Sequence, residues 1–174
     1  MTSTLYCLLF LLSALGLLRT SDSCTRGDAD ALLRFINAMD MNFFEYPQGW
    51  DLSNSNGSCC DWEGVTCDSV SAQIVGISLS NKALFGRLSE GLANIPSLQV
   101  LDVSNNFFDG PLPKDLSTLP SLHTLDVSNN QFSGQLSDVL VNFSSLQVLN
   151  VYRNRFNGSL PSSSSSRNMT HLRL

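Results

Sequence analysis

One register recurs along this chain at a step of 24 residues. Leu98…Leu101-x-Val103-x-x-Asn106-x-Phe108-x-Gly110-x-Leu112 returns as Leu122…Leu125-x-Val127-x-x-Asn130-x-Phe132-x-Gly134-x-Leu136. It returns again as Leu146…Leu149-x-Val151-x-x-Asn154-x-Phe156-x-Gly158-x-Leu160. An earlier copy runs Ile74…Ile77-x-Leu79, then Leu84-x-Gly86-x-Leu88, with Lys82 in the asparagine's place. A strict period of this length means stacked coils: a single unit cannot bury its apolar face alone, so each must cover its neighbour. Such a solenoid is a surface for binding more than a pocket for chemistry.

Within each coil the x-Leu-x-Leu/Val-x segment predicts a short strand, at 76–80, 100–104, 124–128 and 148–152. Strands one period apart stack as a parallel sheet on the concave side of a right-handed α/β solenoid. Ile77, Leu101, Leu125 and Leu149 form one core column, and Leu79, Val103, Val127 and Val151 a second. Each such side chain contributes about 1.5–3 kcal/mol on burial. Asn106, Asn130 and Asn154 are expected to satisfy backbone groups at the bend between coils, where an unpaired polar group is costly. Gly110, Gly134 and Gly158 mark a turn into the outer segment. The fourth coil loses its outer apolar anchor to Ser162–Ser166, so an irregular segment is expected there. The register reappears as Met169…Leu172-x-Leu174, where the sequence stops in mid-strand; it reads as the N-terminal piece of a longer protein or a truncated product.

Upstream of the repeats, Leu32, Phe35, Ile36 and Met39 make one apolar stripe, which predicts an amphipathic helix over 28–40, with Asp28 or Asp30 at its N-cap. A loop follows, then Cys59-Cys60-Asp61-Trp62-Glu63-Gly64-Val65-Thr66-Cys67, a short strand tied by its own cysteines. Helix and strand together suit a cap over the first coil's open edge. Ahead of them, the apolar run from Leu5 to Leu18 is short for a membrane span and sits at the extreme N-terminus, as a secretory signal does. The expected organisation is therefore a signal peptide at 1–22, a cap at 23–72 and repeats at 73–174, with no membrane segment besides the signal.

Secretion gives the cysteines and asparagines a meaning. Cys24, Cys59, Cys60 and Cys67 are an even set in an oxidising context, which reads as two disulfides. Adjacent Cys59 and Cys60 are poorly placed to bond each other. Of the two pairings left, Cys24–Cys59 with Cys60–Cys67 is favoured: the short loop closes over Trp62 and the long one ties the chain start to the solenoid. A zinc site from the same thiols is disfavoured, since paired C-x₂₋₄-C spacing is missing. Asn56, Asn142, Asn157 and Asn168 head N-x-S/T triplets, glycan acceptors expected on the outside of the coils. Formal net charge is −5. The acids crowd the cap, and residues 139–174 hold four arginines and no acid. An acidic chain without a broad basic face is a poor nucleic-acid binder. No phosphate-cradling glycine loop occurs, and no cofactor or metal is expected.

Asp30-Ala31-Leu32-Leu33-Arg34-Phe35, Gly49-Trp50 and the Cys59–Cys67 segment resemble the N-terminal cap of plant leucine-rich-repeat receptors. Phe108-Asp109-Gly110-Pro111-Leu112-Pro113 and Phe156-Asn157-Gly158-Ser159-Leu160-Pro161 resemble the plant-type repeat. Within that family, Cys24 and the stretch Ser80-Asn81-Lys82-Ala83-Leu84-Phe85-Gly86-Arg87-Leu88-Ser89-Glu90 are most similar to phytosulfokine receptors. The resemblance implies an extracellular ligand-sensing module, followed in full-length members by a membrane span and often a kinase. It transfers no hormone-binding residue, because the receptors' peptide pocket lies in a later insertion.

Two functions compete: a receptor ectodomain that takes a peptide, protein ligand or co-receptor on its concave sheet, and a secreted inhibitor like the polygalacturonase-inhibiting proteins of the same repeat type. An enzyme is disfavoured. His123 sits where neighbouring coils have Gln99 and Gln147, and His171 has no nucleophile near it in sequence. The candidate contacts are concave positions between the core columns. Ser78, Asp102, Asp126 and Asn150 form one line, and Ser80, Ser104, Ser128 and Tyr152 the next. Tyr152, Arg153 and Arg155 stand out, because Tyr152-Arg153 replaces the Ser-Asn of the two preceding coils, and aromatic and Arg side chains dominate binding hot spots.

Overall fold

The computed structural model describes residues 24–39, 47–51, 58–158 and 169–174. The expected signal peptide, Asn56, Asn168 and the serine run lie outside the described residues. Helix α1 (Arg26–Asn37) opens the cap. It starts two residues earlier than the apolar stripe suggests, because Thr25 is the N-cap. The Thr25 hydroxyl accepts from the Asp28 amide at 3.1 Å, and the Asp28 carboxylate accepts from the Thr25 amide at 3.2 Å. Asp28 is thus the third helical residue of a capping box, not the cap.

The helix buries Leu32, Phe35 and Ile36 against a 3₁₀ turn of the first coil, Glu90–Asn94. Gly91 makes that approach feasible: a Cβ there would stand 3.1 Å from the Ala31 carbonyl and 3.2 Å from the Phe35 amide. The cap disulfides join Cys24 to Cys59 and Cys60 to Cys67. Between them Phe35, Trp50 and Trp62 form an aromatic chain, with ring centroids 6.2 and 5.4 Å apart.

Two sheets build the solenoid. The concave one runs β1 (Val65–Cys67), β2 (Ile74–Ser78), β4 (Val100–Asp102), β6 (Thr124–Asp126), β8 (Val148–Asn150) and β10 (His171–Arg173), in that order. All neighbours are parallel except β1, which belongs to the cap and lies antiparallel to β2. Gly64, at φ +79°, lets the chain enter β1 against β2; a Cβ there would meet the Ser78 carbonyl at 2.2 Å. The repeat strands after β2 are three residues long, not five, since each ends where the chain bends at the third core position.

The second sheet was not expected from the sequence. It runs β3 (Phe85–Arg87), β5 (Phe107–Gly110), β7 (Gln131–Gln135) and β9 (Arg155–Asn157), all parallel. Gly110, Gly134 and Gly158 therefore lie in or just after strands, not in a simple turn. Phe108, Phe132 and Phe156 point inward from it and stack at 5.9 and 6.3 Å. Between the sheets on the outer side run the 3₁₀ turns Glu90–Asn94 and Lys114–Thr118 and the short helix α2 (Leu136–Leu140).

The asparagines bind coil to coil. The Asn106 amide donates to the carbonyls of Leu79, Val103 and Ser104 at 2.8–3.1 Å, and its oxygen accepts from the amides of Lys82 and Leu84 at 3.0 Å. Asn130 repeats this on Val103, Val127, Ser128 and the Phe108 amide. Asn154 repeats it on Val127, Val151, Tyr152 and the Phe132 amide. Lys82, where the first coil lacks its asparagine, reaches the cap instead and pairs with Glu63. Glu63 also accepts from the Gln48 amide at 2.8 Å, while its own carbonyl accepts from the Trp50 indole at 2.9 Å. The Lys82 ammonium, helped by the Gln48 amide, holds the Glu63 carboxyl below the usual carboxylate range.

Candidate partner-binding face

Parallel pairing without slippage turns the concave sheet into columns. Gly76, Val100, Thr124, Val148 and His171 align in one, and Ser78, Asp102, Asp126, Asn150 and Arg173 in another. Between them Ile77, Leu101, Leu125 and Leu149 point into the core and are buried. The two flanking columns face the concave side because side chains alternate along a strand.

The second column is a graded line, from two carboxylates through an amide to a guanidinium. Its members also shape the backbone. Asp102 accepts from the Ser104 amide at 2.9 Å, and Asp126 accepts from the Ser128 amide at 2.9 Å and its hydroxyl at 2.7 Å. Asn150 accepts from the Tyr152 amide at 3.3 Å. These are local side-chain turns that bend the chain out of the strand. Across coils, the Asn150 amide donates to the second Asp126 oxygen at 2.9 Å. Both Asp126 oxygens are thus engaged.

The bend corrects part of the sequence reading. Ser104 and Ser128, expected to face the ligand with Ser80 and Tyr152, are buried at 6% and 4% exposure. The position falls after the strand, where the chain has already turned inward. Ser80 at the same position in the first coil is half-buried, and Tyr152, too large for the recess, is 46% exposed. The next position is left-handed in every coil: φ is +59° at Asn81, +55° at Asn105, +53° at Asn129 and +54° at Arg153. Asparagine tolerates that region and arginine does not, so Arg153 carries strain that its three predecessors avoid. Its guanidinium lies 5.2 Å from the centre of the Tyr152 ring, a cation–π pair.

Arg155 does not join them. It lies on β9, in the second sheet, because Asn154 turns the chain between the two sheets. On the concave sheet the neighbouring strand β10 sets Arg173 beside Asn150 and His171 beside Val148. The sequence reading passed over Arg173 as a contact, although the last register, Leu172 aligned with Leu149, was signal enough. His123 and His171 stand on different coils, each with its ring nitrogen 3.0 Å from a neighbouring threonine hydroxyl. Among the described residues no group of His, Cys, Asp and Glu side chains is placed to hold a metal ion. Asn142, after α2, and Asn157, in β9, are exposed, and neither lies on the concave sheet.

Comparison with known proteins places this architecture. A family model described as a leucine-rich repeat N-terminal domain matches residues 26–68, and the leucine-rich repeat model matches 97–119, 121–143 and 145–166. Phytosulfokine receptor 1 of Arabidopsis thaliana is 36% identical over 87 residues, 49% of this chain and 8% of the receptor. The BIR2 ectodomain of Arabidopsis thaliana superposes with a TM-score of 0.73 at 28% identity, over 83% of this chain and 77% of that one. The Arabidopsis receptor kinase HAESA, solved with the peptide hormone IDA and the co-receptor SERK1, gives a TM-score of 0.59 at 26% identity, over 86% of this chain and 29% of that one. The chain spans about a tenth of the length of the curated relatives it matches. Among the described residues no helix is long and apolar enough to cross a membrane.

Proposed function

Given that the chain belongs to the leucine-rich-repeat proteins with the plant receptor-type N-terminal cap, we propose that it is an extracellular binding module of a plant cell-surface receptor, and that a peptide or co-receptor engages the C-terminal half of its concave sheet. The observation that carries this reading is the pair Tyr152 and Arg153. An exposed ring and a guanidinium occupy a backbone turn that in the two preceding coils holds buried serine and unstrained asparagine. Strain retained at one position of a repeating structure points to a role there.

The charge order along the sheet sets the kind of ligand. Asp102 and Asp126 stand toward the cap, while Arg153 and Arg173 stand toward the other end. An extended segment would lie across the coils with its cationic part over the aspartates and its anionic part over the arginines. Such contacts weaken as salt screens them. The test is binding of synthetic peptides with acidic or basic ends to the parent and to a Tyr152→Ala/Arg153→Ala double variant. Peptides with an acidic end should bind in a salt-dependent manner, and the variant should lose about tenfold or more, as hot-spot residues do. Equal affinity and equal salt dependence in a folded variant would refute the site.

A further inference from the structure

We propose that Asn157 is a self-modifying position, which the folded chain converts to aspartate and isoaspartate by attack of the following amide unless a glycan occupies it. The inference stands apart from partner binding.

Asn157 is the last residue of β9, exposed, and followed by Gly158, which is also exposed and stands outside the strand at φ +84°. No hydrogen bond from the Gly158 amide is seen among the described residues. A glycine there has no side chain to screen the Asn157 carboxamide, and its backbone can rotate into the attacking geometry. The asparagines of the ladder differ on every count. Asn106, Asn130 and Asn154 are followed by Phe107, Gln131 and Arg155, and their amides are held by carbonyls of two coils.

The step balances without an oxidant. The Gly158 nitrogen, having lost its proton to solvent, bonds to the Asn157 Cγ. The Cγ–Nδ2 bond breaks, and the nitrogen leaves as ammonia after taking a proton from water. The cyclic imide that results adds one water at either carbonyl, giving aspartate or isoaspartate. A glycan on Nδ2 makes that nitrogen a bulky secondary amide and shields the carbon under attack. The same residue heads the triplet Asn157-Gly158-Ser159, so glycan attachment and ageing compete for one side chain. Either product puts a carboxylate into residues 139–174, which hold four arginines and no acid. Isoaspartate also inserts a methylene into the main chain directly after Phe156, which stacks on Phe132 at 6.3 Å.

The test uses the full chain secreted from a eukaryotic host as a Ser159→Ala variant, which keeps Asn157-Gly158 and removes the acceptor triplet. The folded protein is aged in mildly alkaline buffer, then cut with trypsin. Cleavage after Arg155 and Arg167 releases a peptide whose sole asparagine is Asn157. That peptide should separate with time into an amide and two acid forms, and Gly158→Ala should slow the change several-fold. A parallel sample in urea gives the rate for the open chain, so the result does not depend on the glycine variant folding. If the amide form persists in the folded protein while the urea sample converts, the fold protects Asn157 and the proposal fails. Equal rates with glycine and alanine at 158 would also overturn it.

Discussion

Replacing Asn130 with alanine tests the coil-to-coil ladder most directly. Asn130 is 8% exposed and makes four hydrogen bonds. Its three carbonyl acceptors each have another donor: Asn106 for Val103 at 2.9 Å, Asn154 for Val127 at 2.8 Å and the Asn105 amide for Ser128 at 2.9 Å. The Phe108 amide accordingly bears most of the loss. One buried donor left unsatisfied costs about 1–3 kcal/mol, and the weakened carbonyl contacts add about another, so Asn130→Ala should cost roughly 2–4 kcal/mol. Asn106→Ala should cost more, because it orphans two amides, of Lys82 and Leu84, and the carbonyl of Leu79. Asn154→Ala should cost least, since its site is half-buried. Asn130→Asp keeps the acceptor for Phe108 but sets an oxygen against three carbonyls. Its carboxyl would titrate above the usual range, so the variant should be nearest to wild type in acid and lose stability as pH rises through that raised value. Urea unfolding followed by circular dichroism and tryptophan fluorescence measures all four. Both tryptophans lie in the cap, so a gap between the two signals shows coils melting apart from it. If Asn154→Ala costs as much as Asn106→Ala, or if Asn130→Ala is neutral, the ladder is not what couples the coils.

Other outcomes follow from the same geometry. Removing the Cys60–Cys67 bond with a double serine variant should lower stability by about 2–5 kcal/mol and sharply reduce secretion, read by calorimetry and culture-medium yield. Glu63 has a depressed carboxyl pKa in the folded state, so its contribution is present above the ordinary carboxylate value and disappears as pH falls through the depressed one. Glu63→Gln should therefore melt below wild type at neutral pH, and the two melting curves should converge in strong acid. Arg153→Asn should raise stability by roughly 1 kcal/mol by relieving a left-handed arginine, while weakening ligand binding; a calorimetric scan that shows no gain would remove the strain argument.

The solenoid was legible because its signal repeats. Any single Leu-x-Leu is uninformative, but columns of Ile77, Leu101, Leu125 and Leu149 at constant spacing admit one stacking. The second sheet was illegible for the opposite reason. Its strands are three to five residues long, and the last three each show one consistent inward residue, Phe108, Phe132 or Phe156, with outward neighbours that differ from coil to coil. Arg155 was assigned to the wrong sheet in consequence, and the burial of Ser104 and Ser128 was missed because a left-handed turn leaves no mark in an alternating pattern. Asp28 and Asp30 are cap-type residues in their own right, but Thr25 and Asp28 are a hydroxyl and a carboxylate three residues apart, and that spacing is the capping box that starts the helix earlier. Tyr152 and Arg153 could be singled out by their departure from the repeat; their pairing and the strain at Arg153 needed backbone angles.

The asparagine amides give the fold a direction in time. Asn106 closes off groups around Leu79 and Leu84, Asn130 does the same for Val103 and Phe108, and Asn154 for Val127 and Phe132, so each of these three coils is completed by a residue made some two dozen positions later. A polypeptide leaves the ribosome N-terminus first. The cross-linked beginning can therefore settle before the rest exists, and each arriving turn finds a finished pattern to copy in register. Assembly of this kind resembles a crystal adding layers to one face, and an error in an early layer would propagate to all that follow.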